Sequence, residues 1–291
     1  MLLVSPTAGG GRARRLWPET AEALGRQGFA LSVVITGNLQ EATEHARRAA
    51  PGSVVAALGG DGFLGAAAAG ALHSGAVLLP LAGGRGNDTV RRFGLPLNPV
   101  RAVREIERYV VTEIDVGVVN DCPYLGVAHV GFDALANEYG NAVRSGLGPL
   151  TYVYGGLRAL LVWRDVTFTL SIDGEERILP RSFIAVGNTG QYGGGLRMCP
   201  QAKVDDGLLD VVSLDRSSIA TVAATFLISY RGRHLGTPGV TFARGTSVEI
   251  TANEPLNVYA DGELVGPLPA AVTIASRALK VLMPVRSPAV G

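Results

Sequence analysis

At 291 residues, with 47% hydrophobic and 18% charged side chains, the chain is a folded protein, too long for one typical core, and not a disordered one. A formal net charge of +1, with no run of lysine and arginine, gives no case for nucleic acid as a partner. Its two cysteines, Cys122 and Cys199, lie far apart without metal-ligand spacing and read as reduced thiols in a cytoplasmic protein.

In chain order, Met1 to Val4 carries no basic leader and reaches Ser5-Pro6 at once, so it reads as a first strand and not as a signal peptide. Arg12 to Gln27 then reads as a helix, Ala30 to Ile35 as a strand, and Leu39 to Ala49 as a helix. Ser53 to Leu58 is a short valine- and alanine-rich run suited to a buried parallel strand, and the alanine-rich stretch Phe63 to Leu72 suits a helix. Between them Gly59-Gly60-Asp61-Gly62 forms the turn. Ala76 to Leu81 is a further strand, followed by a second glycine-rich loop, Gly83-Gly84-Arg85-Gly86-Asn87-Asp88, and a helix from about Thr89.

Such alternation predicts a parallel sheet covered by helices, with ligands at the carboxyl ends of the strands. The loops Ser5 to Arg12, Gly59 to Gly62 and Gly83 to Asp88 then serve one site. Glycines at a strand-to-helix turn allow close backbone approach to a ligand, and amides at the helix start favour an anion. Asp61 in such a turn suits a metal ion or a nucleotide hydroxyl beside the phosphates; the plainer alternative is a tight turn with Asp61 capping its helix.

From about Thr112 the pattern changes. Ile114 to Val119, Tyr124 to Val130, Val166 to Ile172, Arg181 to Val186, Leu208 to Ser213, Ser247 to Thr251, Leu256 to Ala260, Ala271 to Ile274 and Leu279 to Met283 read as short strands separated by turn residues, the pattern of an antiparallel sandwich. Helical stretches at Glu138 to Trp163, broken near Gly146 to Pro149, and at Ser217 to Tyr230 interrupt it. The expected organisation is thus α/β plus all-β: a Rossmann-like parallel domain over residues 1–111 and a β-sandwich domain over residues 112–291, with the extreme C-terminal segment packing back on the first domain. Phe63 to Gly84 is uncharged but divided by His73-Ser74-Gly75 and Pro80, and Ser217 to Tyr230 is shorter than the roughly 20 residues of a membrane span, so no transmembrane segment is expected.

Familiar catalytic motifs are missing. There is no Gly-x-x-x-x-Gly-Lys-Ser/Thr loop, no convincing dinucleotide fingerprint, no protein-kinase catalytic loop and no Gly-x-Ser-x-Gly elbow. His45, His73, His129 and His234 have neither metal-ligand nor triad spacing.

What remains is an ordered set of loops: Gly59 to Gly62, Gly83 to Asp88, Val130-Gly131-Phe132-Asp133-Ala134, Gly193-Gly194-Gly195, Asp205 to Asp210 and Asp261-Gly262-Glu263. In this order they resemble the diacylglycerol kinase catalytic family, which includes bacterial lipid kinases and sphingosine kinases, with NAD kinases more distant. The resemblance runs from Val4 to about Pro284. It implies ATP-dependent phosphorylation of a lipid hydroxyl, with nucleotide between an α/β domain and a β-sandwich domain. By position, Thr36 and Gly59, Gly60, Asp61, Gly62, Phe63, Leu64 and Gly65 are similar to nucleotide-binding positions; Asn87 and Asp88 match their counterparts in the second loop, where Arg85 replaces a common threonine. Ser5 and Arg12 lie in the first phosphate-facing loop. The resemblance gives Asp261 and Glu263 proton abstraction from the acceptor, and gives the Lys203 and Leu208 carbonyls with the Asp206 carboxylate a magnesium (Mg2+) site, for which hard oxygen ligands are apt. Read by itself, Asp261-Gly262-Glu263 is an exposed acidic hairpin, and Asp205-Asp206-Gly207 a polar turn before a strand.

The chain departs from the family pattern where a threonine, an asparagine and a glutamate commonly follow Gly62 and where asparagine commonly precedes Pro6; here Phe63, Leu64, Gly65 and Ala66, and Ser5, stand there. Reduced activity or a different acceptor follows as an alternative. Tyr152 to Trp163 and Ser217 to Tyr230 offer apolar surfaces for an acyl chain, with ordinary core helices as the alternative. The expected partner is a lipid acceptor at the inner membrane face, reached peripherally; Arg144, Arg158, Arg164, Arg231 and Arg233 either assist near anionic headgroups or are ordinary solvated arginines, an equally good explanation of them, and a homodimer is left open. The rival functions are a kinase of a soluble hydroxyl compound and a catalytically silent nucleotide- or lipid-binding protein.

Overall fold

The fold is described from a computed structural model over residues 1–132, 134, 166–215 and 219–285. Asp133, the stretch Glu138 to Trp163 that the sequence predicts to be helical, and Arg144, Arg158 and Arg164 within it or beside it lie outside the described residues. The chain divides into two compact units, Met1–Val116 with the return segment from Ala275, and Gly117–Ile274.

In the first unit, β1 (Leu2–Val4), β2 (Val33–Ile35), β3 (Val54–Gly59) and β4 (Val77–Ala82) form a parallel sheet in the order β2-β1-β3-β4. β4 is buried along its whole length and β3 over all but its first residue, as expected of parallel strands covered on both faces. The connections are α1 (Ala8–Arg26), α2 (Leu39–Arg47) and α3 (Asp61–Ser74), followed by α4 (Asp88–Arg92) and α5 (Pro99–Arg104) after β4. Gly9, Gly10 and Gly11 have φ of 60°, 65° and 87°, so the regular turns of α1 begin beyond Gly11. α2 is capped by Asn38, whose side chain accepts from the Glu41 amide at 2.8 Å.

The second unit is antiparallel. After β5 (Tyr109–Val119), which crosses the unit boundary, come β6 (Cys122–Tyr124), β7 (Val127–Gly131), β8 (Val166–Ile172), β9 (Glu175–Gly187), β10 (Leu209–Asp215), α6 (Ile219–Ser229), β11 (Val240–Gly245), β12 (Ser247–Ala252), β13 (Asn257–Ala260), β14 (Glu263–Pro267) and β15 (Ala270–Pro284). β9 is the spine: residues 175–181 pair with β8, and residues 183–187 pair with β7 on one side and β10 on the other. Because strand side chains alternate between faces, Ile184 and Val186 enter one core with Phe168, Val211 and Val258, while Phe183 and Ala185 enter another with Phe132, Met198, Val212 and Val222. An all-β unit thus follows a parallel α/β unit.

Three strand readings need correction. Tyr124 to Val130 is interrupted at Leu125-Gly126, because those two amides are taken by the Asp261 carboxylate. Ala271 to Ile274 and Leu279 to Met283 belong to one strand, β15, whose Arg277 has φ of 49° and donates its amide to Asp115 at 2.8 Å. The first half of β15 pairs with β12 and the second half runs parallel to β4. β11 and β14 are strands that the sequence reading passes over.

Candidate active site

The first cluster is built on the carboxyl edge of the parallel sheet. Ser5, Thr36, Gly60 and Gly83 each directly follow the last residue of β1, β2, β3 and β4, so the topology sets all of them on one edge of the first unit. The loops interlock there. A β-carbon at Gly84 would collide with the Gly60 backbone, and one at Gly83 would crowd Gly59. The Gly83 amide donates to the Gly59 carbonyl at 2.7 Å. Thr36 is buried, and its amide donates to the Val4 carbonyl at 3.1 Å; the Ser5 amide donates to the Leu58 carbonyl at 3.0 Å.

Side chains then brace this scaffold. Asn87 is buried, with φ of 54°; its Oδ1 accepts from the Gly84 amide at 2.8 Å and its Nδ2 donates to the Gly84 carbonyl at 3.0 Å. Arg12 donates to the Leu97 carbonyl at 2.8 Å and to the Gly84 carbonyl at 3.4 Å. Asp61 does not cap its own helix. Its Oδ1 accepts the Thr89 amide at 2.9 Å, joining the start of α3 to the first turn of α4, and Gly60 is the residue at the N-cap. Asp88, the residue before Thr89, is buried. Phe63 and Leu64 turn into the core, with the Phe63 ring directly beneath Gly59, so these positions offer a ligand only backbone. Gly65 is buried and Gly62 half-buried in the same turn. Arg85, by contrast, is exposed and its guanidinium has no hydrogen-bond or ion-pair partner among the described residues. Of the two arginines expected near phosphates, Arg12 is spent on positioning the loop and Arg85 is the available charge.

The second cluster is in the β-rich unit. Asp261 and Gly262, with φ of 51° and 86°, make the two-residue turn between β13 and β14, the backbone that Asp-Gly favours in a hairpin. The turn is not simply solvated. Asp261 Oδ2 accepts the Leu125 amide at 2.8 Å and Oδ1 the Gly126 amide at 2.7 Å, and a side chain at 126 would occupy the space of Oδ1. Glu263 opens β14 and keeps solvent access, yet the protein around it disfavours its anion and raises its carboxyl above the ordinary range. Beneath the turn, Tyr124 is fully buried and donates to the Val186 carbonyl at 3.1 Å; burial first, and the Asp261 charge second, push its phenol well above the usual value.

Asn188 and Thr189 are the residues that sequence reasoning missed. Asn188 Nδ2 donates to the Leu125 carbonyl at 3.1 Å, and the Asn188 and Thr189 amides donate to the Gly126 and Leu125 carbonyls at 2.9 Å and 3.0 Å. Leu125-Gly126 is thereby held from both sides, by Asp261 on its amides and by residues 188–189 on its carbonyls. The readable signal was Gly187-Asn188-Thr189-Gly190, polar and glycine-flanked after the apolar end of β9.

Asp206 lies on the Asp205-Asp206-Gly207 turn, exposed, with Oδ1 accepting the Leu208 amide at 3.2 Å and Gly207 at φ 70°. Among the described residues no group of three or more His, Cys, Asp or Glu side chains is placed to hold a metal ion. A cation at this turn would rest on one carboxylate, the Lys203 and Leu208 carbonyls and water, an all-oxygen set that fits magnesium. Tyr192 and Leu196 exchange backbone hydrogen bonds around Gly193-Gly194-Gly195, and His129 stacks with both Tyr192 and Tyr259, at centroid distances of 5.0 Å and 6.0 Å. No described helix is long and apolar enough to cross a membrane.

Comparison with known proteins covers both units. Residues 1–119 match the diacylglycerol kinase catalytic domain and residues 126–283 match the YegS C-terminal NAD kinase beta sandwich-like domain. A diacylglycerol kinase of Mycobacterium tuberculosis is 33% identical, the match covering 97% of this chain and 94% of that protein. The diacylglycerol kinase of Staphylococcus carnosus is 26% identical over 92% of this chain and 90% of its own length. A crystal structure of a diacylglycerol kinase from Bacillus anthracis superimposes with a TM-score of 0.75 over 100% of this chain and 97% of that one, at 22% identity, which speaks to the fold.

Proposed function

Since the chain belongs to the diacylglycerol kinase catalytic-domain family, we propose that it transfers the γ-phosphoryl group of ATP to the hydroxyl of a lipid, diacylglycerol or a close relative. The observation that carries the reading is the Asp261-Gly262-Glu263 turn, in which one carboxylate is pinned by two amides and the next is left open with a raised proton affinity.

Phosphoryl transfer asks a protein mainly for positioning and charge stabilisation. The amides of the interlocked glycine loops and the exposed Arg85 would hold the phosphates, with Asn87, Arg12 and Asp61 fixing the loops. A base needs a lone pair directed at the acceptor. Each Asp261 oxygen already accepts a backbone amide, which fixes that carboxylate beside Leu125-Gly126, so in this proposal it positions the turn; Glu263, without such an anchor, takes the hydroxyl proton. Magnesium held by the Lys203 and Leu208 carbonyls and Asp206 would brace the start of β10. Buried Phe63 supports the reading that the departures after Gly62 alter the core beneath the loop and leave its amides in place.

The test is radiolabelled ATP incubated with lipids extracted from the source cell. Labelled lipid is expected. A labelled water-soluble product would transfer the reading to a soluble hydroxyl acceptor, and no product despite nucleotide binding would leave a silent binding protein.

A further inference from the structure

The C-terminal end of α6 gathers features that phosphoryl transfer does not use. Arg197, Tyr230, Arg231 and Arg233 line a depression of about 440 Å³ in the β-rich unit. All three arginines are exposed, and none of their guanidinium groups has a carboxylate or hydrogen-bond partner among the described residues. Three like charges around one depression repel one another, and the helix C-terminus compensates only the nearest of them. The backbone nonetheless fixes the turn that carries Arg197 and Arg231: the Arg197 and Gly232 amides both donate to the Ser229 carbonyl, at 3.1 Å and 2.9 Å, and the Arg231 amide donates to the Ile228 carbonyl at 2.9 Å. Gly232, at φ 65°, presses against Pro200 with Arg197 alongside, an approach that a side chain would obstruct.

The helix leading to this cluster is unusual on its outer side. α6 contains no charged residue. Its inner positions Val222, Thr225 and Ser229 are buried, but Leu227 is 72% exposed, Ile228 37%, and Tyr230, just beyond its end, 51%. A water-facing helix surface normally carries polar residues, and a contiguous apolar patch rimmed by charge marks a contact surface. Apolar and aromatic side chains beside unpaired arginines complement the boundary between acyl chains and anionic headgroups, where tyrosine sits with its ring in the apolar layer and its hydroxyl in water.

We propose that the end of α6, with Leu227, Ile228 and Tyr230 inserting and Arg197, Arg231 and Arg233 binding phosphate headgroups, is a docking surface for an anionic phospholipid bilayer. It deepens the lipid-kinase reading by supplying access to the acceptor. Vesicle binding is nevertheless measured without turnover, so either statement can fail alone.

The experiment is co-sedimentation of the full chain, without nucleotide, on phosphatidylcholine vesicles with and without phosphatidylglycerol. Binding is expected only where phosphatidylglycerol is present. Arg231→Ala/Arg233→Ala should weaken it about thirtyfold, since each arginine near an anionic surface contributes roughly fivefold. Leu227→Ser, at an exposed position with melting unchanged, should weaken it without altering charge. Equal sedimentation on both vesicle types, or parental binding by both variants, overturns the proposal. So does a surface that inorganic phosphate occupies, seen as melting stabilisation lost in the double arginine variant, while neither vesicle is bound; that outcome makes the depression a site for a small soluble anion.

Discussion

Glu263 and Asp261 are separated by one glycine, but the proposed mechanism gives them opposite work. Glu263→Gln removes the proposed base and should lower turnover by about 10² to 10⁴ with ATP affinity retained. Its stability effect has the other sign. A carboxyl whose proton affinity is raised by folding contributes stability below its unfolded pKa, and that contribution is lost as pH rises through the folded value, so at neutral pH the neutral amide is no less stable than the anion. Glu263→Gln should therefore melt at or slightly above the parent temperature. The acid limb of the parent kcat/KM profile should lie above the ordinary glutamate value of about 4.3 and be missing from the variant. Asp261→Asn is different, because its Nδ2 would face one of two backbone donors that now meet oxygen. It should lose about 1–3 kcal/mol in chemical denaturation, and its turnover should fall with that disorder of the turn. Unchanged melting in Asp261→Asn would remove the positioning role, and full turnover in Glu263→Gln would remove the base.

At the scale of elements, strand-to-helix turns that interlock by close glycine contacts do what longer side chains could not. The alternation of apolar strand, glycine loop and helix made this half of the fold legible, because each element there satisfies its own periodicity. What periodicity does not encode is a side chain that reaches another element. Asp61 reads from sequence as a cap, or as holding a metal ion or a nucleotide hydroxyl; in the fold it leaves its own helix uncapped and bonds the first turn of α4. The same cause hid the break in the Tyr124 to Val130 run: its apolar residues continue across Leu125-Gly126, and only Asp261, far along the chain, ends the ladder there. For Asp61 the cross-link separates two substitutions. Asp61→Asn keeps an oxygen for the Thr89 amide and should melt near the parent, whereas Asp61→Ala leaves that amide without its acceptor and should cost about 1–3 kcal/mol. If Asp61 also acts on phosphates or their counterion, both variants lose turnover; if it only joins α3 to α4, Asp61→Asn stays active. Thermal melting and ATP turnover of the pair decide between these roles.

Across the whole molecule, each unit carries its own family match and its own cluster of candidate residues, and the chain enters the second unit through β5 and leaves it through β15. The sandwich pattern was legible because its strands alternate. The continuity of β15 was not, since Ser276-Arg277-Ala278 lacks the apolar alternation of its flanks and is held instead by the Arg277 amide on Asp115. If nucleotide and magnesium bind as proposed, they give the two units distinct thermodynamic handles. A ligand that binds only the folded form stabilises it in proportion to the logarithm of its saturation, about 2.7 kcal/mol at a hundred times its Kd. Magnesium at Asp206 should therefore raise the melting of the β-rich unit without nucleotide, and chelation should reverse the gain. Asp206→Ala removes the sole carboxylate of the proposed set, so its melting should no longer respond to magnesium, while nucleotide analogues still stabilise it through the loops of the first unit. Asp206 also accepts the Leu208 amide, so a small loss of stability in metal-free Asp206→Ala belongs to the turn itself. The decisive quantity is the magnesium-dependent increment. If that increment is the same in Asp206→Ala as in the parent, the cation is held elsewhere and Asp206 serves only to close the turn before β10.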